Sequence, residues 1–416
     1  MALPAVMRSR KLYVGAGLAA LLAALTVGPP VLKNIATAQT KPGVMAPRYE
    51  VDPLWPKPLP NHWVLGSTIG VWVDTDDHVW IIHRSSATLA PNERTLELKT
   101  GECCVGAPPV LEFDQAGNLL RHWGGPGKGY EWPDSNHGIF IDYKGNVWIG
   151  GNGGPDSQIL KFTKDGKFLM QVGKKGARRK AGAAAGRDEG GVAGFAGNSN
   201  DPVSFGRVAK IFVDQQENEA YIADGYLNKR VAVIDADTGK MKRWWGAYGN
   251  KPDDTPLPAY DPSAPPAKQF RNPVHCADMS VDRLIYACDR AGDRLQVFTP
   301  QGKFLKEGFY EKNTLNSGSV WDIAFSKDPQ QKYIFITDGV NEKVKIIDRQ
   351  TLQELTTFGD GGRQPGQFYG VHSIAIDSKG NLYTTETYEG KRLQRFLLKG
   401  MAPVTKLNQG VVWPAK

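Results

Sequence analysis

One motif recurs six times along this chain, and that repetition limits the fold more than any other feature. It is clearest in "SNHGIFIDYKGNVWI", residues 135–149, where apolar positions alternate through Ile139, Ile141, Val147 and Ile149 around a Lys144-Gly145-Asn146 turn. Alternation with period two about such a turn predicts a β-hairpin. A second hairpin follows in "SQILKFTKDGKFLMQVG", turning at Lys164-Asp165-Gly166, so the unit has four short strands.

The other five units read alike. One opens with "TIGVWVDTDDHVWIIHR" and resumes at "PVLEFDQAGNLLRHWG" after an insertion. The rest begin "VAKIFVDQQENEAYIADGYLNKR", "VHCADMSVDRLIYACDR", "VWDIAFSKDPQQKYIFITD" and "VHSIAIDSKGNLYTTET". A unit of roughly 40 residues in four strands cannot bury both of its faces alone, and stacking the units around an axis buries them. The expected fold is therefore all-β, a six-bladed β-propeller. The sixth unit lacks a convincing fourth strand, and "YEVDPLWPKP" near the N-terminus is the segment expected to supply it and close the ring. Composition agrees: 47 Gly, 28 Pro and 11 Trp with 23% charged residues suit a turn-rich protein with a packed core, not a disordered chain.

Residues 1–38 stand apart from the repeats. Arg8, Arg10 and Lys11 precede an apolar run from Leu12 to about Val27, and Ala36-Thr37-Ala38 offers a small-residue cleavage site. This is the pattern of a signal peptide or of an N-terminal anchor that is kept. Residues 39–416 are then a single propeller domain, expected to be exported to the periplasm or the extracellular space. Gly/Pro-rich inserts near residues 177–204 and 250–270 are expected as long loops bordering a binding site.

The formal charge of +8 sits largely in the leader and in a Lys/Arg cluster from Lys174 to Arg187. No aromatic residue interleaves that cluster before Phe195, so a solvated loop fits better than a nucleic-acid surface, and no nucleic-acid partner is expected. A membrane partner is expected only through a retained leader, and the protein is expected to be a monomer. Export permits disulfides. Cys276 and Cys288 flank a tight turn at Val281-Asp282-Arg283, and antiparallel pairing there predicts a disulfide. Cys103 and Cys104 are adjacent, and a vicinal disulfide, free thiols and a metal site all stay open for them.

When the six units are aligned on their first strands, one position reads Ile69, His137, Ala209, His275, Trp321 and His372. Histidine thus falls on the second, fourth and sixth blades. The first strands of a propeller run beside its axis, so equivalent positions on alternate blades are related by an approximate threefold rotation. Three imidazoles would converge there. With only seven histidines in the chain, this placement points to a metal site, and three neutral nitrogen ligands with an open position suit catalytic zinc. At the ends of second strands, "IIHRSS" places Arg84 and "IADGYLNKR" places Tyr226 toward the same face. Arg offers a planar cationic fork for oxyanions, and a Tyr beside a metal can serve as a base.

These segments carry a family resemblance. "IIHRSS" around Arg84, "NHGIFID" around His137, "DGYLNKR" around Tyr226, "VHCADM" around His275 and "VHSIAID" around His372 resemble the peptidyl-α-hydroxyglycine α-amidating lyase, a six-bladed propeller of NHL-type repeats. The resemblance spans most of the mature chain. It implies zinc held by His137, His275 and His372, Tyr226 as general base and Arg84 orienting the substrate. The implied substrate is a small molecule or peptide ending in α-hydroxyglycine, which breaks down to an amide and glyoxylate.

There are departures. The family has Met-Pro before its last His, where this chain has Gly370-Val371, so a substrate contact is lost. The family's structural calcium uses an Asp where this chain has Ser373, which counts against calcium here. The cysteine that follows the family's catalytic Tyr is Leu227 here, which removes that family disulfide. A copper monooxygenase domain ahead of the repeats is not expected, so the hydroxyglycine substrate would come from elsewhere. Two other functions compete: a non-catalytic NHL propeller that binds a protein or polymer, and a calcium-dependent lactonase, for which Asp322 is the only evident carboxylate in the axial motif.

Overall fold

The computed structural model describes residues 43–181 and 194–414. The leader at 1–38 lies outside the described residues, as does the end of the Lys/Arg-rich loop from residue 182. The chain divides into two compact units, Ala46–Ala402 with Asn408–Lys416, and Met1–Met45 with Pro403–Leu407. In the described part of the smaller unit, the Val404 N–H donates to the Val44 carbonyl at 2.9 Å. Among the described residues, no helix is long and apolar enough to cross a membrane.

The larger unit holds the repeats, each a four-stranded antiparallel sheet. Their inner strands are Thr68–Val73, Asn136–Ile141, Val208–Asp214, Val274–Met279, Asp322–Phe325 and Val371–Ile376. Each inner strand packs against the next, and the sixth packs back against the first, which closes a six-bladed propeller. We number the blades 1–6 in that order.

The first turn of the repeat has a local cause. Five residues beyond the axial position stand Asp74, Asp142, Asp214 and Asp377 in blades 1, 2, 3 and 6. Asp142 Oδ1 accepts from the Lys144 and Asn146 N–H groups at 2.9 and 2.8 Å, an Asx turn that tightens the hairpin. Its other oxygen accepts from the Trp148 indole at 2.9 Å, and Asp74 does the same for Trp80 at 3.0 Å. Both indoles are fully buried. Burial of an aromatic this size removes about 200 Å² of apolar surface from water, worth about 5 kcal/mol before entropy. The shared carboxylate ties the turn to that buried indole, so turn and core specify the same register.

Blade 6 gains its outer strand from the other end of the chain. Met45–Asp52 pairs with Arg392–Pro403, so the sheet mixes N-terminal and C-terminal strands. The strand starts at Met45, four residues before the segment expected from sequence, and ends before Pro53, which has no N–H to give to a ladder. Cys276 and Cys288 form the expected disulfide across the first hairpin of blade 4, with Cα atoms 4.9 Å apart. Cys103 and Cys104 form a vicinal pair in the blade 1 insertion.

Candidate functional site

The axial positions are set by a recurring irregularity in the inner strands. In five of the six blades, where this strand pairs with the second, the register shifts at or beside Ile69, His137, Ala209, His275 and His372. A bulge of this kind bends the strand and re-aims a side chain. In blade 2 the residue after the histidine is Gly138, at φ 67°. A Cβ there would lie 2.4 Å from the Ala209 carbonyl oxygen, so the close approach of blades 2 and 3 needs glycine.

That approach brings the three imidazoles together. Ring centroids are 5.1 Å apart for His137–His275, 4.8 Å for His137–His372 and 4.9 Å for His275–His372. Their ligand atoms all lie within 4.8 Å of one another. Each Nδ1 faces the backbone carbonyl of the axial residue on the next blade. His137 bonds Ala209 at 2.7 Å, His372 bonds Ile69 at 2.6 Å, and His275 bonds Trp321. The six aligned positions are thus three histidines and three residues whose carbonyls accept from them, in alternation.

A carbonyl only accepts, so every Nδ1 must carry the proton. In the neutral ring Nε2 is then a bare acceptor. Burial keeps all three neutral. His137 is held well below the ordinary histidine range by burial, then by His372 and Arg84, and His275 by burial, then by Arg290. His372 is lowered to about 3 by burial, with Arg290 and Arg84 adding to it.

Tyr226 follows the second strand of blade 3, Glu219–Asp224, and its backbone N–H donates to the Arg207 carbonyl at 3.1 Å. Its hydroxyl lies 3.0 Å from His137 Nε2 and 2.9 Å from His275 Nε2. One hydroxyl proton cannot serve two acceptors. The centre therefore holds more lone pairs than protons, which is the donor set a cation completes, and neutral imidazoles favour zinc among common ions. Burial raises the Tyr226 phenol above its ordinary value, with Arg290 and Arg84 opposing.

Arg84 follows Val79–His83, the second strand of blade 1, and its Nη2 donates to Asn152 Oδ1 at 2.9 Å. The adjacent His83 is structural: its Nδ1 accepts from the Gly66 and Ser85 N–H groups at 3.0 and 3.1 Å, and Nε2 donates to the Pro108 carbonyl at 3.0 Å. Arg290 is the residue the sequence reading missed. It follows Ile285–Asp289 in blade 4, the strand-end position that Arg84 holds in blade 1. It is buried, its guanidinium lies 4.5 Å from the Trp321 ring centroid, and its Nη1 donates to the Tyr226 hydroxyl at 3.1 Å. Its Nε has no hydrogen-bond partner, a donor left for an oxygen of a ligand. The matching endings "WIIHR" and "IYACDR" were the available signal.

Among the described residues two other groups have metal-like spacing, and internal partners engage carboxylates in both. Asp74, beside Asp76 and His78, serves its turn, Trp80 and Lys164. Between Asp278 and Asp322 lies the buried Lys210 ammonium, 2.9 and 2.6 Å from their oxygens, and the Ser373 hydroxyl donates to Asp322 at 2.6 Å. The carboxylate that a lactonase reading requires is engaged inside the protein.

No protein-family model matches the chain. Among curated proteins it is 24% identical over 319 residues to mouse NHL repeat-containing protein 3, covering 74% of this chain and 69% of the relative. It is also 24% identical over 339 residues to the human protein of that name, covering 79% and 74%. Among solved structures, a streptogramin B lyase aligns over 86% of this chain and 98% of its own, at 14% identity and a TM-score of 0.46. A catalytically inactive virginiamycin B lyase from Staphylococcus aureus with quinupristin aligns over 86% and 89%, at 14% identity and a TM-score of 0.44. The chain is thus similar in sequence to NHL repeat-containing proteins, and its six blades built on one repeat form a six-bladed β-propeller.

Proposed function

We propose that this protein is an exported zinc-dependent carbon–nitrogen lyase of the peptidylamidoglycolate lyase type, which cleaves an α-hydroxyglycine-type N-acyl hemiaminal to an amide and glyoxylate. The observation that carries this reading is the crowding of bare Nε2 acceptors around one phenol hydroxyl, on rings whose Nδ1 protons are all committed to backbone carbonyls. His137, His275 and His372 would hold the ion. When bound, zinc supplies a Lewis acid that stabilises charge developing on the substrate hydroxyl oxygen.

The residues of the chain account for the rest. Tyr226 Oη is placed to take the hydroxyl proton, and Arg290 Nη1, already donating to that oxygen, stabilises the phenolate. As the proton leaves, the carbon–oxygen bond becomes a carbonyl, the carbon–nitrogen bond breaks and the nitrogen is protonated, so amide and glyoxylate form without a co-reactant. Arg84 and the free Nε of Arg290 are suited to hold the carboxylate that becomes part of glyoxylate.

The test uses α-hydroxyhippurate, whose cleavage releases benzamide and glyoxylate. Protein purified without added metal should carry close to one zinc per chain and turn the substrate over. His275→Ala should lose both metal and turnover, and Tyr226→Phe should keep the metal and lose about a hundredfold or more in rate. Turnover unchanged in metal-free protein overturns the reading. If Tyr226→Phe alters only affinity for a protein or polymer, the non-catalytic alternative is favoured.

A further inference from the structure

The opposite end of the inner strands has features that the proposed lyase site does not use. Three residues beyond the axial position, the six blades present Trp72, Phe140, Phe212, Asp278, Ala324 and Ala375. Blades 1 to 3 supply a wall of rings, with Trp72 and Phe140 centroids 4.4 Å apart and Phe140 and Phe212 5.3 Å apart. Blades 5 and 6 supply only methyl groups. Alanine in place of an aromatic leaves space, and a cavity of about 210 Å³ lies there, lined by Trp72, Phe212, Met279, Ala324 and Ala375 among others.

Opposite charges line this cavity. Asp278 lines only the cavity itself, whereas Lys327 and Gln331 also line the wider funnel of about 830 Å³ that continues outward, so Asp278 is at the inner end and Lys327 at the mouth. Asp278 Oδ2 pairs with Lys210, and its Oδ1 has no hydrogen-bond partner. Asp278 is 4% exposed, and burial raises its carboxyl to about 6 against the pull of Lys210. Lys210 also serves Asp322, so one ammonium is shared between two carboxylates. A buried acceptor without a partner costs free energy that a donor from a ligand would recover. Aromatic faces beside it favour a cationic donor.

We propose that this cavity binds a small zwitterionic aminocarboxylate, with its ammonium toward Asp278, its carbon skeleton against Trp72 and Phe212, and its carboxylate toward Lys327. The site is separate from the histidine centre, and its occupancy does not depend on the chemistry proposed there.

The experiment is calorimetric titration of the full chain with 6-aminohexanoate and L-leucine, with hexylamine and hexanoate as singly charged controls. At least one amino acid should bind about tenfold or more tightly than either control, the gain expected from a second charge-assisted contact. The two amino acids distinguish a ligand with separated charges from one with adjacent charges. Because Asp278 also pairs with buried Lys210, the decision rests on two variants that leave that pair in place. Lys327→Met should bring amino acid affinity down to that of hexylamine, and Ala375→Phe, which fills the cavity, should abolish binding. Amino acids that bind no better than the controls, or binding indifferent to Ala375→Phe, would overturn the proposal.

Discussion

His372 Nδ1 donates to the Ile69 carbonyl at 2.6 Å, across the seam where the last blade meets the first. The same contact recurs between blades 2 and 3 and between blades 4 and 5. Each histidine is therefore oriented by the backbone of its neighbouring blade, and the centre depends on how closely the blades approach.

Gly138→Ala tests that dependence. The new methyl would meet the Ala209 carbonyl at a positive φ, so blades 2 and 3 must part. The expected cost is more than about 1 kcal/mol of stability, with zinc affinity reduced by about tenfold or more through the lost orientation of His137. Thermal unfolding and competition with a chromogenic chelator measure the two effects.

Arg290→Lys keeps the charge and loses the planar fork that lies against Trp321 and reaches the Tyr226 hydroxyl. Turnover of α-hydroxyhippurate should show a rise in KM of about tenfold, with bound zinc unchanged. A variant that lost its zinc would assign Arg290 to the scaffold.

His83 gives a pH signature away from the centre. Burial lowers it to about 4 from a usual value of 6.5, and its neutral form is the one its hydrogen bonds require. A depressed pKa means that the unfolded chain binds the extra proton first. The contribution of His83 is thus complete above pH 6.5 and is lost as pH falls toward 4, at up to about 1.4 kcal/mol per pH unit. Urea midpoints of zinc-free protein should fall over that window, and His83→Leu should flatten the slope by one such increment.

The disulfide between Cys276 and Cys288 closes a short loop, with a sequence separation of 12. Replacing both by Ala should cost about 3 kcal/mol. The denaturant midpoint of the double variant, compared with that of oxidised wild type, checks it.

The architecture was legible because apolar alternation about a tight turn recurs in every unit. Aligning the units on their first strands put His137, His275 and His372 at one position. The partners of the histidines left no trace: Ile69, Ala209 and Trp321 act through carbonyls, which every residue has. Arg290 was visible in principle at the strand end shared with Arg84, but a single arginine in a turn carries little signal until its neighbours are known. Asp278 sits within the "VHCADM" strand, and only the ring places it on the side of Ala324 and Ala375, in the two blades that follow.

The sheet that carries His372 joins strands far apart in the sequence, Met45–Asp52 beside Arg392–Pro403. The earlier strand has no partner until the later one has been synthesised, so this blade is completed by a long-range pairing after the other five have been laid down. The meeting of the three imidazoles is thereby tied to the joining of the circle.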